Sequence, residues 1–498
     1  MIQPGICRFA VIASALCFPG ATQSVLAQGY GSPLTMQGVN HATIASASSR
    51  GAGGISVGMK GDITLMFVNP AALQGLEGIH LSVGGMNQSR TLDQAQQWYP
   101  LRSFPTFSLM MEGLIDQIKN PDLSDPPPEG LGPEDYIARP YDTIKPNWSR
   151  EEQKSPWIQG FVGVPLTILG LDLAAGLGAV EYANLDYYFQ NNNVLSPSIG
   201  TQRPFGIPLP AIGQEVVVQW SQYVQQREGS IHGYGGAVSA AISKELSVGL
   251  SGLFLNGRSD DLETAVSRGD IRFGNNSGVY YQALDSVYER RYQVGTSDYS
   301  GEEFTISSLY QGRYVTLGLM VKPPSRVLRK FAATVQQDTG GAPVTSTLRG
   351  EDKILLPWRG TVGIAVDVRD DLMLGLEYEI RPFESTEYTD ASGKTTRPWL
   401  SSSLFRFGAQ YLPQPWLAIR AGIREESEVF EPEGNALIGE AVRYSIYSFG
   451  LGFTFAGIHL NAAYEYSLMK YQDMWQTNVN LNNENRHTLI ADVSYVIQ

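Results

Sequence analysis

The chain has 498 residues, a formal net charge of −13, 53 glycines, 25 tyrosines and two cysteines. The acidic balance excludes nucleic acid as a partner, because phosphate binding needs a basic face. Both cysteines, Cys7 and Cys17, lie near the start, so the remaining chain excludes disulfide staples and thiolate metal sites.

In chain order, residues 1–27 come first. Arg8 is their only charge, an apolar run covers 9–18, and Val25-Leu26-Ala27 is a small-residue site. This is the pattern of a secretory signal peptide, with cleavage expected after Ala27. Residues 28–77 alternate poorly. They hold the glycine run at 51–54, then Asp62, then Asn69-Pro70-Ala71. Asn69 is a good N-cap and Pro70 suits a first helical position, so a short helix is expected over 70–76. Taken alone, such a cap fits any protein surface.

From residue 78 the pattern changes to period two. In 372–380, Leu372, Leu374, Leu376, Tyr378 and Ile380 share one face and Met373, Gly375, Glu377 and Glu379 the other. The same alternation recurs in 417–424, 445–455 and 458–466. Strands are expected over 78–87, 155–166, 168–188, 228–242, 245–257, 302–321, 326–338, 357–368, 371–383, 398–411, 415–424, 443–455, 457–470 and 487–498. That makes fourteen. Short turns at 243–245, 369–371, 412–415 and 455–457 alternate with long polar stretches at 189–214, 258–301, 384–397, 425–442 and 471–486, which read as loops. A short helix is expected at 112–119 and an extra strand pair near 103–111.

Tight turns at one end and long loops at the other point to an all-β transmembrane antiparallel barrel of about 14 strands over 78–498. Residues 28–77 are then an N-terminal hatch inside the lumen, since a wide barrel cannot fill itself with strand side chains. A two-sheet sandwich is the competing architecture. Against it, Trp157, Tyr188, Trp220, Trp358, Trp399 and Trp416 fall near strand ends, as in an interfacial girdle.

Inward-facing charges are the candidate ligand-binding groups: Glu377, Glu379, Arg406, Arg420 and Arg424, with Arg381 and Glu465 beside them. An arginine in a low-dielectric lumen could hold a ligand carboxylate. The plainer alternative is that these charges pair with one another or with the hatch. Gly176 and Gly178 are candidates for a kink that opens the wall, or else small residues facing a crowded interior. The histidines form no metal-like cluster, and Asp260-Asp261 with Glu263 lacks EF-hand spacing. No cofactor, metal site or catalytic group is expected.

The stretch SRGAGGISVGMKGDITLMFVNPAAL (49–73) resembles the N-terminal region of the outer-membrane long-chain fatty-acid and hydrocarbon transporter family, the FadL/TodX type. Residues 374–383, 404–424 and 447–467 resemble that family's closing strands, in the same order. The middle of the chain, roughly 88–340, matches poorly. The resemblance implies a fourteen-stranded barrel closed by an N-terminal hatch, with hydrophobic molecules leaving sideways through the wall. It implies a Gram-negative outer membrane, with membrane lipids and a hydrophobic small molecule as partners. Relatives of this family also serve as docking components in protein secretion, so a scaffold with a protein partner at the external loops is the second expectation. One departure is the C-terminus, Tyr495-Val496-Ile497-Gln498, where barrels of this type commonly end in an aromatic residue.

Overall fold

The computed structural model describes residues 38–41, 45–98, 147–192, 213, 215–276, 279–285, 289–338, 341–429, 435–436, 442–475 and 478–497. The expected signal peptide, the helix at 112–119 and the strands near 103–111 lie outside these residues.

Fourteen antiparallel strands close on themselves among the described residues. They are β1 (Ile79–Trp98), β2 (Trp148–Ile168), β3 (Leu171–Asn184), β4 (Glu215–Ala241), β5 (Leu246–Asn276), β6 (Glu289–Gln311) and β7 (Val315–Lys322). The circuit continues through β8 (Arg359–Arg369), β9 (Leu372–Arg381), β10 (Ser402–Gln414), β11 (Leu417–Ser427), β12 (Arg443–Phe455), β13 (Ile458–Trp475) and β14 (Asn478–Ile497). Each strand pairs with the next, and β14 pairs with β1 from Ile79↔Ile497 to Trp98↔Asn478. The circuit closes without a terminal edge strand.

The side-chain faces follow the sequence alternation. Leu376, Tyr378, Ile380, Phe405, Phe407 and Phe449 point outward and are exposed, while Glu377, Glu379, Arg406 and Ser448 point inward and are buried. An apolar exterior around a polar interior is the inverse of a sandwich core and fits a barrel in a bilayer. Of the six aromatics expected at a girdle, Trp358 and Trp416 are exposed. Trp399 is buried against Phe383, with ring centroids 5.5 Å apart.

The turns at one end are tight. Leu169-Gly170 and Ala456-Gly457 each hold two successive positive φ angles, +55° and +79°, and +51° and +77°. This is the geometry of two-residue hairpin turns that match strand twist.

The count of fourteen survives two exchanges. Residues 302–321 are two strands, β6 and β7, reversing at Gly312, whose N–H donates to the Val315 carbonyl (2.8 Å). Residues 326–338 are not a wall strand. Ser325–Asp338 and Val344–Leu356 form a hairpin in the β7–β8 connection, and its first arm pairs with the far half of β6, Arg290–Glu302. Two stretches expected as loops are also strand. Most of 258–301 extends β5 and β6, and most of 471–486 extends β13 and β14. A tall sheet therefore rises from one side of the barrel at the long-loop end.

Candidate functional site

Residues 45–77 lie inside the barrel and are tied together by their own polar groups. Ser46 caps the helix α1 (Ala47–Gly51), accepting from the Ser49 N–H (3.1 Å). Asp62 caps a 3-10 turn at Ile63–Leu65, accepting from the Thr64 N–H (3.0 Å). The same carboxylate accepts from the hydroxyls of Ser46 (2.6 Å) and Ser48 (2.5 Å), which locks the two turns together. Ile55, Ile63, Leu65, Met66 and Leu73 are fully buried.

Asn69, Pro70 and Ala71 open a short helix of 3-10 type, Pro70–Gly75, where a short helix was expected over 70–76, but the Asn69 side chain does not cap it. The donors that a cap would satisfy are already used. Pro70 has no N–H, the Ala71 N–H donates to Ser307 Oγ of β6 (2.8 Å), and the Ala72 N–H donates to the Asn69 carbonyl (3.1 Å). Asn69 is 0 % exposed, and neither side-chain polar atom has a partner among the described residues.

The wall holds this inner segment closely. Glu377 Oε1 accepts from the Ser56 N–H (2.5 Å), Ser56 Oγ (2.9 Å) and the Val57 N–H (2.7 Å). Asp492 Oδ2 accepts from the Ala47 N–H (2.9 Å), and Arg50 pairs with Glu465. Backbone meets backbone where the wall carries glycine. A Cβ on Gly408 would sit 2.0 Å from the Ala52 carbonyl oxygen, and one on Gly422 2.2 Å from the Gly53 nitrogen.

The candidate charges all point inward and divide into two groups. Arg406 binds Glu377 (2.9 Å) and Glu379 (2.6 Å), which places all three in the clamp on the inner segment. Arg420 donates to Gln410 Oε1 (2.7 Å) and Asn461 Oδ1 (3.0 Å). Arg424 bridges Glu426 (2.9 Å) and Glu465 (2.5 Å). Of the named candidates, Arg424 lines the lumen cavity, together with Glu465 beside it, and the others do not.

That cavity, about 200 Å³, mixes charged groups such as Arg90, Glu181 and Arg486 with Trp157, Tyr182 and Trp399. It reaches a break in the wall. Backbone pairing between β2 and β3 runs from Ile168↔Leu171 to Gly160↔Ala179 and stops. Beyond it, β2 stays paired with β1 and β3 with β4, so the two strands part. Both are irregular at that height. The β1–β2 register shifts between Met86 and Gln88, opposite Ser155-Pro156, and the β3–β4 register shifts between Glu181 and Ala183. Proline has no N–H for the ladder and falls at bulges or edges.

Among the described residues, side chains bridge the opening: Lys154 pairs with Glu181, the Arg150 guanidinium lies 4.0 Å from the Tyr188 ring, and the Trp157 and His232 rings are 4.5 Å apart. Trp157 and Ile158 flank it, the latter 72 % exposed to the outside. Gly176 and Gly178 are on the right strand but are not the break. Each is paired on both edges. Their α-carbons face Ile63, Phe161 and Phe67, where a Cβ on Gly176 would come 2.9 Å from Ile63 and one on Gly178 2.6 Å from Phe161. They are small because the interior is crowded. Sequence reasoning did not single out Lys154, Trp157, Glu181 or Tyr182 for a site. The readable signal was Pro156 inside an otherwise regular strand.

No protein-family model and no curated protein matches the chain. Solved structures do. A Pseudomonas aeruginosa FadL homologue aligns with a TM-score of 0.58 and 13% identity, covering 92% of this chain and 98% of its own. The P. putida toluene transporter TodX gives 0.54 and 12%, covering 93% and 100%. The CymD monoaromatic hydrocarbon channel gives 0.51 and 12%, covering 92% and 99%. These neighbours are named as transporters and channels, not enzymes. The N-terminal and closing-strand resemblances thus meet a matching architecture over nearly the whole chain: the protein is a fourteen-stranded antiparallel barrel with the FadL/TodX fold.

Proposed function

We propose that the protein is an outer-membrane channel for passive uptake of a small hydrophobic molecule, such as a long-chain fatty acid or a hydrocarbon, in a Gram-negative envelope. The tight turns face the periplasm and the long loops the exterior, the usual arrangement of such barrels. The observation that carries this reading is the lumen cavity meeting the parted β2–β3 seam. The seam opens at Gly160, eight residues along β2 from Ile168, close to the roughly 9–11 residues a tilted strand needs to cross the hydrocarbon core. Only the lowest part of the seam is then level with the hydrocarbon core, so a ligand leaving there enters the outer edge of the bilayer. Transfer of its apolar surface from water to the bilayer supplies the drive, with no nucleotide or metal.

In this reading residues 45–77 act as a fixed hatch and Arg406, Glu377 and Glu379 are its clamp. Arg424 is the candidate that meets a ligand. Bridging Lys154→Cys and Glu181→Cys with a bifunctional maleimide is expected to stop uptake of labelled fatty acid or toluene by cells that depend on this protein. Unchanged uptake after complete bridging sinks the lateral route. Equal uptake with and without the protein sinks the channel.

The scaffold reading keeps one observation in its favour. Among the described residues, 344–349 pair only with the other arm of their own hairpin and offer a free sheet edge outside the barrel. Co-purification of a surface protein, lost on deleting 325–356, is the result that supports it.

A further inference from the structure

Residues 38–41 are separate from the clamped part of the inner segment. They form one turn, with the His41 N–H donating to the Gly38 carbonyl (3.2 Å) and the Gly38 N–H to Asn40 Oδ1 (3.2 Å). Gly38, Asn40 and His41 all line the lumen cavity. At one side Gly38 lies on β3, where a Cβ would come 2.0 Å from the Asn184 carbonyl oxygen. Val39 is buried in an apolar cluster that includes Leu185, Phe383, Trp399 and Val429. At the other side the Asn40 carbonyl accepts from Arg381 of β9 (3.1 Å). Beyond it, His41 stands between two carboxylates, Nδ1 3.7 Å from Glu426 and Nε2 3.6 Å from Glu428. The turn therefore reaches from the strand that bounds the open seam to the far wall of the cavity.

We propose that residues 38–41 are a proton-operated strap over the cavity, pinned while a His41 imidazolium sits between Glu426 and Glu428 and released when the ring loses its proton. Both ring nitrogens face carboxylate oxygens, and an ionised carboxylate only accepts. A neutral ring has one N–H to offer, so one of the two contacts becomes acceptor against acceptor. The charged groups around the ring are Glu426 on β11, Glu428 just past it, and Arg486 and Glu484 on β14. Arg424 is already bound to Glu426, and the Tyr444 hydroxyl donates to Glu426 (3.3 Å).

Burial opposes the charged ring, but Glu428 and Glu426 outweigh burial and the weaker repulsion from Arg486. The His41 imidazole is therefore held above its ordinary value. The sign follows: the pinned state gains full stability below the ordinary imidazole range and loses it as pH rises through the raised value. Acid closes the strap and mild alkali frees it.

The purpose of such a strap rests on the reading of the cavity as a ligand path, but its test needs no ligand. Ser467 lines the cavity and is buried. Ser467→Cys is placed in the full chain, and its modification by a charged methanethiosulfonate is timed at about pH 5 and about pH 9, either side of the usual imidazole range. Rates are corrected by the same reagent on free cysteine, and the protein without the substitution is the blank. The corrected rate is expected to be about tenfold higher at the upper pH, the response of a two-state lid biased by one proton.

Adding His41→Gln should make the rate fast at both pH values, and adding His41→Lys should make it slow at both. A pH ratio that survives His41→Gln, or a His41→Lys protein that is fast at both, overturns the proposal. If His41→Gln gives no heat-resistant folded band on a gel, Glu428→Ala replaces it: without that carboxylate the neutral ring still donates to Glu426, so the pH ratio should vanish, and a ratio that survives overturns the proposal. A strap that responds as described in a protein showing no uptake separates failure of the channel reading from failure of this one.

Discussion

At the residue scale, the lumen is governed by which charges have partners. Glu377 is 1 % exposed and holds three donors of the inner segment as well as Arg406. Removing it halves the pairing of the buried Arg406, which keeps Glu379, and leaves two backbone N–H groups and the Ser56 hydroxyl without their acceptor. Glu377→Leu is therefore expected to cost about 3–5 kcal/mol in denaturant unfolding of the barrel, the usual loss for breaking a buried pair. Asn69 gives the opposite prediction. Its amide has no partner among the described residues, so Asn69→Leu, of similar size, should change stability by less than about 1 kcal/mol. A larger loss reports a buried water bound to the amide. The face of each residue was legible in the sequence, because Glu377 and Glu379 alternate with Leu376, Tyr378 and Ile380. Which cation each glutamate meets was not. Arg406 lies on the next strand, and only register places it beside both carboxylates.

At the element scale, the inner segment and the wall meet through glycine. Gly422→Ala puts a Cβ 2.2 Å from the Gly53 nitrogen, so one backbone must move. A loss of about 1–3 kcal/mol is expected, as for an overpacked core, seen as an earlier loss of the heat-resistant band. Gly170 has a φ of +79° but nothing within 4 Å of its Cβ position, so Gly170→Asn should be nearly silent.

Strands were legible where one face is apolar. The upper parts of β5, β6, β13 and β14 are polar on both faces, so 258–301 and 471–486 read as loops. The hairpin at 325–356 alternates enough to pass for wall, and nothing local says whether its partner closes a barrel or stands above one. The opening in the wall was sought at Gly176 and Gly178, on the correct strand. It formed beyond them, where Pro156 and the irregularity between Glu181 and Ala183 interrupt two ladders at the same height.

At the scale of the whole molecule, the clamped segment closes the lumen at one end while the β2–β3 ladder is interrupted in the wall. The tight-turn end of the lumen is filled by residues fixed to β5, β6, β9, β10, β12, β13 and β14. Single barrels in a planar bilayer are therefore expected to pass little ion current. Deleting 45–76 should open a steady conductance, because a barrel this wide holds water when unfilled. A large current through the intact protein would show that the segment moves aside readily.

The glycine contacts also dictate an order of assembly. No side chain separates residues 52 and 53 from the backbone of β10 and β11, which leaves no passage for threading the segment into a finished cylinder. The cylinder closes only when β1 meets β14, two pieces of chain about four hundred residues apart. The first part of the chain must therefore wait in place until the last arrives and then be enclosed by it. A peptide of the inner segment supplied to a ready-made barrel lacking it should fail to restore heat resistance, whereas the same peptide present during refolding should succeed.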